Sequence, residues 1–197
     1  MKTGANPQGK GLVPTLDAWH AVQPAAVSAK SPRQVLADYF TTLLILSAEF
    51  SFKPRAGVSY FLYRAPDKWL LSLVSPREWG LRPPGVYLGE CELRPDMTWQ
   101  LQPTAELDSE PTLVHHLQQF HDGFIALLEG AAPLEDSLPF YAAELPYYRR
   151  LLAAGLASSL SRTLQLSQLA GISGRQWLAD QRDPGGDSPV RLLPDAR

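Results

Sequence analysis

The residues best suited to chemistry lie in one short stretch, Arg77-Glu78-Trp79-Gly80, which follows Ser75-Pro76. A guanidinium, a carboxylate and an indole in adjacent positions could clamp an anion, exchange a proton or stack on an apolar group. The same residues also suit a structural corner. Proline stops strand pairing, glycine accepts a positive φ, and the tryptophan can fold back onto a sheet. Both interpretations stay open on the sequence, and the corner is the simpler one.

Three histidines and an aspartate, His115, His116, His121 and Asp122, raise the question of a metal site. Ligands that face one ion from a helix need offsets of three or four residues, whereas His121 lies five and six residues after the other two histidines. We therefore predict no metal site, and we expect these side chains on the polar face of a helix. The sequence also lacks the common nucleotide, acyl-transfer and zinc motifs, so we predict no cofactor and no catalytic residue.

Cys91 is the single cysteine, which excludes an internal disulfide. Its strand position places it with Tyr87, Gly89 and Leu93 on one face, where a small buried thiol is expected rather than a nucleophile. The N-terminal sequence has no apolar run after Lys2. Together these features predict a cytoplasmic protein without a signal peptide.

Charge and hydropathy narrow the possible partners. The formal net charge is -2, with 45% hydrophobic and 19% charged residues, which is typical of a globular chain and gives no general attraction to nucleic acid. The most apolar windows are too short to span a membrane. Residues 104–145 hold eight acidic residues and no Lys or Arg, so this segment is either solvated helix surface or a patch for a basic partner.

The elements that would position these residues follow from hydrophobic periodicity. Ser31-Pro32 with Gln34 predicts the start of a helix that continues with a broad apolar stripe to about residue 50. Four β-favouring runs follow at 58–64, 69–75, 86–94 and 98–102, and they read as two hairpins in an antiparallel meander. The predicted class is α+β, with an antiparallel sheet of about four strands over residues 58–102, covered by the N-terminal helix and by a C-terminal helical layer.

Helical spacing returns after the sheet. We expect helices from about 112 to 129, from 146 to 171 and from 173 to 181, which together form a C-terminal layer on the sheet. The predicted organisation is an extended arm (1–30), one α+β domain (31–181) and a disordered tail (182–197). Small residues near 153–161 would permit close helix packing, either within the chain or across a homodimer.

Three runs carry a family resemblance. KPRAGVSYFLYR (53–64), WLLSLVSPREWG (69–80) and YLGECELRPDMTW (87–99) resemble the central segment of the family known as domain of unknown function 2452, which occurs in bacteria and eukaryotes. NPQGKGLVP (6–14) also looks familial. The resemblance covers roughly residues 33–102 and identifies the chain as a bacterial member. It implies the order of helix then sheet and no catalytic residue, because the family has no assigned activity.

Two functions fit these observations. The first is a non-catalytic binding or adaptor module whose candidate contact residues around the turn are Arg77, Glu78, Trp79, Gly80 and Tyr87. The alternative is an enzyme with a pocket between sheet and helices, in which Arg77 holds an anion and Glu78 is the acid or base. The partner would be a protein or a small molecule, with no nucleic acid and no membrane, and a homodimer through the C-terminal helices is possible.

Overall fold

The computed structural model describes residues 23–129, 132–136 and 147–180. Within them the chain forms five α-helices and four β-strands, which confirms the predicted α+β class. Most of the predicted arm and all of the predicted tail lie outside the described residues. The elements, in chain order, are α1 (Pro32–Ser47), β1 (Ser59–Arg64), β2 (Trp69–Ser72), α2 (Pro76–Trp79), β3 (Val86–Leu93), β4 (Trp99–Pro103), α3 (Pro111–Leu128), α4 (Tyr147–Leu166) and α5 (Gly174–Asp180).

Helix α1 lies at the centre of the core. It begins where predicted, with the Ser31 hydroxyl accepting the backbone N–H of Gln34 and with proline in the first turn. Almost every side chain from Val35 to Leu46 is buried, because the helix is enclosed by the sheet on one side and by α3 and α4 on the others. The N-terminal helix therefore covers the apolar face of the sheet, as predicted.

The sheet is antiparallel, but its order is β2-β1-β3-β4, which corrects the predicted meander. Both hairpins form within about three residues of their predicted bounds. However, β3 pairs with β1 and leaves β2 at the edge. Strands β2 and β3 thus run parallel with β1 between them, and such a pair requires a crossover of about a dozen residues. We call residues 73–85 the crossover.

An irregularity in β3 decides which face Tyr87 occupies. Leu62 pairs with Gly89, but the next residue, Tyr63, pairs with Tyr87, so Leu88 is an extra residue. Because side chains alternate along a strand, this bulge moves Tyr87 away from the face that holds Cys91. Tyr87 was expected on the Cys91 face, and that expectation is wrong.

Both edges of the sheet are partly occupied. On β2, the Glu49 N–H donates to the carbonyl of Trp69 and the Glu49 carbonyl accepts the N–H of Leu71. On β4, the Thr42 hydroxyl accepts the N–H of Trp99 at 2.9 Å, and Pro103 has no N–H to offer.

The apolar core is continuous from α1 through the inner face of the sheet to the last helix. Phe40 of α1 makes edge-to-face contacts with Phe120 and Phe124 of α3. Helix α4 contributes a row of buried leucines and Ala153, and α5 contributes Trp177. In the described part of the chain, no helix is both long and apolar enough to cross a membrane.

A buried ion network ties the entry to α1 to the β3–β4 turn. The Lys30 ammonium lies 2.6 Å from Asp38 and 2.7 Å from Asp96, and Arg94 lies 3.1 Å from the other oxygen of Asp38. Burial alone would raise the pKa of Asp96, but hydrogen bonds from Lys30 and Thr98 outweigh it and hold that pKa below its usual value. Burial alone would lower the pKa of Lys30, but its two carboxylate partners raise it.

Candidate functional site

The SPREWG stretch forms one short helix, α2, inside the crossover. The Ser75 hydroxyl accepts the N–H of Glu78 at 3.4 Å, and the Glu78 carboxylate accepts the N–H of Ser75 at 2.8 Å, which completes a capping box. The helix ends at Gly80, whose φ of 60° and ψ of -124° favour glycine. Glu78 and Gly80 thus have local structural roles.

Tyr63 connects the crossover to the sheet. Its hydroxyl donates to the carbonyl of Val74 at 2.9 Å, and its ring is fully buried although it belongs to the face opposite the core. We call this the outer face. The crossover passes over it because the chain must travel from β2 across β1 to reach β3.

Three aromatic rings line up on the outer face. The Tyr87 ring lies 5.5 Å from Tyr63 and 6.4 Å from Phe61, centroid to centroid. Burial and the nearby carboxylate of Glu90 raise the pKa of Tyr87 to about 12. Burial and Glu78 do the same for Tyr63, again to about 12. Both hydroxyls are therefore protonated at neutral pH.

The crossover exposes an unusual amount of apolar surface. Leu81 is 101% exposed, Leu73 54% and Trp79 36%. These three account for most of the large apolar side chains that are exposed in the described residues, the others being Val58 and Leu166. In the corner interpretation Trp79 folds back onto the sheet; in the structure it is more exposed than Trp69 and Trp99, which are both buried. A side chain on a four-residue helix with no buried residue has no core to enter.

The crossover and the neighbouring strand β3 also carry exposed charged side chains. Glu90 and Glu92 project from β3 and are exposed, and neither has an ion-pair partner among the described residues. Arg77 and Arg82 are exposed on the crossover. We call the group formed by the crossover, Phe61, Tyr87 and Glu90 the outer-face surface.

The outer-face surface contains all of the predicted site residues, together with residues that the sequence analysis missed. The predicted set was Arg77, Glu78, Trp79, Gly80 and Tyr87, and the structure places all five on the crossover or on the adjacent outer face. Phe61, Tyr63 and Glu90 were missed. The alternation of Phe61 and Tyr63 with buried Tyr60 and Leu62 was a signal that β1 has two apolar faces.

The residues considered for metal or thiol chemistry lie elsewhere. Within the described residues, no three His, Cys, Asp or Glu side chains are grouped as metal ligands would be. His121 was expected on a polar face, but it is buried and packs 6.1 Å from the Phe40 ring. It shares a helix face with the buried residues Leu117, Phe124 and Leu128. Cys91 is a buried free thiol, and burial raises its pKa well above the ordinary value.

Comparison with known families identifies the region that contains this site. Residues 26–122 match the family described as Protein of unknown function (DUF2452). This part of the chain is similar to that family. The resemblance drawn from sequence motifs is confirmed. The DUF2452 segment holds α1, the whole sheet, the crossover and most of α3, whereas α4 and α5 follow it. No solved structure matches the chain.

Proposed function

We propose that this protein is a non-catalytic binding module that docks a protein partner on its outer-face surface. The observation that carries the proposal is the exposure of Leu73, Trp79 and Leu81 on one crossover. That crossover is joined to the outer face through the hydrogen bond from Tyr63, whose ring contacts Tyr87. Contiguous exposed apolar side chains rimmed by charge are typical of interaction sites, whereas isolated ones are ordinary. Aromatic and arginine side chains are also enriched at such sites.

The charges around the surface indicate the chemistry of the partner. Glu90 and Glu92 are exposed and unpaired among the described residues, and Glu90 lies beside the Tyr87 ring. A partner segment with apolar side chains and a neighbouring Lys or Arg would complement both features. The acidic segment at 104–145 is a second, weaker attraction for the same kind of partner.

The catalytic alternative is less well supported by the geometry. Glu78 is exposed, and its hydrogen bonds from the Ser75 backbone and side chain lower its pKa. A carboxylate whose pKa lies below the usual value stays ionised at neutral pH, so it is a poor proton donor and a weakened base. The three cavities described in this structure are lined by residues outside the crossover.

Cellular compartment and assembly belong to the same proposal. The single cysteine, buried as a thiol, is compatible with a bacterial cytoplasm. A homodimer through the C-terminal helices stays a prediction. The helix surface proposed for the dimer contact is partly buried within the chain, since Ala153 and its neighbouring leucines on α4 lie in the core.

Site-specific photo-crosslinking tests the docking surface. A photoreactive phenylalanine analogue is placed at Leu81, and a control is placed at Leu166, which is also exposed but lies on α4. Irradiation in cells of the source organism is expected to give a discrete protein adduct at position 81 and none of that mass at 166. Trp79→Ala and, separately, Glu90→Lys are expected to reduce that adduct at least fivefold.

Two results would contradict the proposal. One is the same adduct from both positions, which would indicate non-specific capture of abundant proteins. The other is an adduct at position 81 that neither substitution reduces, while circular dichroism shows that both variants are folded.

A further inference from the structure

A groove of about 450 Å³ lies on the core side of the sheet, away from the outer-face surface. Its walls are the segment 53–56, the β3–β4 turn and the first turns of α4. The end of β3 contributes Leu93, the turn contributes Met97, and α4 contributes Leu151 and Leu152; all four are buried. A cavity of this size is in the range that holds a small organic ligand.

Hydrogen bonds donated by backbone N–H groups hold the walls of the groove in place. The Arg55 N–H donates to the Tyr60 hydroxyl at 2.7 Å, and the Gly57 N–H donates to the carbonyl of Leu93 at 3.3 Å. On the other side, the Ala25 N–H donates to the carbonyl of Pro95 at 2.8 Å. The groove is therefore formed before any ligand binds, which reduces the entropy cost of binding.

Met97 forms part of the floor in a strained conformation. Its φ is 66°, in the left-handed region that an unbranched non-glycine side chain rarely adopts. The turn that contains it is fixed by the Met97 N–H, which donates to the Arg94 carbonyl, and by the buried pair of Asp96 and Lys30. Strain of this kind persists where the surrounding structure determines it, and it is common at ligand sites.

The rim of the groove is positively charged. Lys53 and Arg55 both line it and are exposed, and neither has a carboxylate partner among the described residues. Asp96, which lies between the wall residues Pro95 and Met97, is already paired with Lys30. An apolar floor beneath two unpaired cations thus favours a ligand that combines an anion with an apolar body.

We propose that this groove binds a small amphiphilic carboxylate. The carboxylate lies between Lys53 and Arg55, and the alkyl part covers Met97 and the leucines of the floor. This site is separate from the docking surface. Binding here neither requires nor excludes a partner on the outer face.

The methionine count makes NMR a direct test. The chain has two methionines, Met1 and Met97, so a protein labelled with ¹³C at the methionine methyls gives one signal from the groove and one internal reference. Titration of the full chain with octanoate is expected to shift the Met97 signal saturably and leave the Met1 signal in place. Octanol has the same alkyl chain without the charge and is expected to bind at least tenfold more weakly.

Matched charge reversals distinguish binding in the groove from a general effect of the protein's net charge. The double variant Lys53→Glu, Arg55→Glu is expected to weaken octanoate binding at least tenfold. The double variant Arg77→Glu, Arg82→Glu makes the same change of charge on the crossover and is expected to leave the affinity within twofold of the natural protein. If the first variant is unfolded by circular dichroism, Lys53→Gln, Arg55→Gln replaces it, with at least a fivefold loss expected.

Three results would overturn the proposal. The first is a Met97 signal that does not move at millimolar octanoate. The second is octanol that binds as tightly as octanoate, and the third is an equal loss of affinity in the two charge-reversal variants. A result for the crossover partner has no bearing on any of these three, so the two proposals succeed or fail independently.

Discussion

Gly89 shows how a single residue can set the spacing of two strands. A Cβ atom at this position would lie 2.3 Å from the carbonyl oxygen of Gln102 on β4, so the strands approach closely only because the side chain is absent. The contact is with backbone, which cannot rotate out of the way. The requirement is therefore steric, and any larger residue must push β4 aside.

We predict that Gly89→Ala lowers the free energy of unfolding by about 1–3 kcal/mol, the usual cost of overpacking. Gly123→Ala is the matched control, because it lies in α3 and an added Cβ there would meet nothing within 4 Å. That control is expected to be neutral or to stabilise by up to about 1 kcal/mol. Urea unfolding measures both, and equal effects would contradict the steric explanation.

The buried ion network gives a prediction about acid. The pKa of Asp96 is lowered in the folded chain, so its stabilising contribution is present above the unfolded pKa of about 3.9 and is lost as pH falls through the lower folded value. Asp96→Asn is expected to cost about 3 kcal/mol at pH 7, at the low end for a buried pair that loses one partner, since Asp38 still faces Lys30.

The same variant is expected to lose part of the decline in stability below about pH 4, because the titrating group is gone. Asp67→Asn, which changes an exposed aspartate in the β1–β2 turn, serves as the control. Thermal unfolding from pH 7 to pH 3 distinguishes the two variants. Parallel pH curves for Asp96→Asn and the natural protein would show that the network does not contribute as described.

At the scale of elements, the local pattern predicts where strands lie but not how they pair. Each strand began and ended within a few residues of its predicted bounds, because alternation and turn residues are local signals. The order β2-β1-β3-β4 depends on non-local pairing, which no short window contains. The sequence analysis assumed that the two hairpins lie side by side in chain order. In the structure the crossover instead brings β3 next to β1.

The candidate site, like the strands, could be predicted from local signals but not from non-local contacts. The SPREWG residues were identified from their types alone, whereas their contact with Tyr63 and Phe61 follows from the crossover passing over β1. The bulge at Leu88 then brings Tyr87 to the same face. A bulge shifts the side-chain pattern by one residue, and no sequence signal near Leu88 announces it.

The capping box of α2 can be tested through its carboxylate. Because Ser75 lowers the pKa of Glu78 through its N–H and its hydroxyl, we expect Ser75→Ala to raise that pKa part of the way to its ordinary value. The backbone contact survives the change, so the rise is partial. NMR titration of the Glu78 side chain measures it, and an unchanged pKa would mean that the hydroxyl contributes little.

At the scale of the whole molecule, the family segment and the core do not coincide. The DUF2452 segment ends at residue 122, inside α3, whereas the core continues into α4 and α5 with Leu156, Leu160 and Trp177. Helix α1 is buried on all sides partly because α4 packs against it. The C-terminal helices are therefore part of the core of this chain.

We predict that a chain truncated after Glu129 does not unfold cooperatively. Removal of α4 and α5 exposes apolar side chains of α1 and α3, and a sheet with half of its cover has too little buried area to offset chain entropy. Calorimetry of the truncated and full chains checks this, with a hydrophobic dye as a second measure. A sharp transition near the melting temperature of the full chain would show that the family segment folds alone.

The occupied borders of the sheet have a consequence for behaviour in crowded solution. With Glu49 bonded along β2 and with Thr42 and Pro103 on β4, an incoming foreign strand finds few free amides to extend the ladder. Fibril-like stacking of one copy on another is therefore disfavoured, even though the crossover exposes apolar side chains. A protein partner is then recognised through side-chain contacts rather than by strand addition. Contacts of this kind can be selective and reversible.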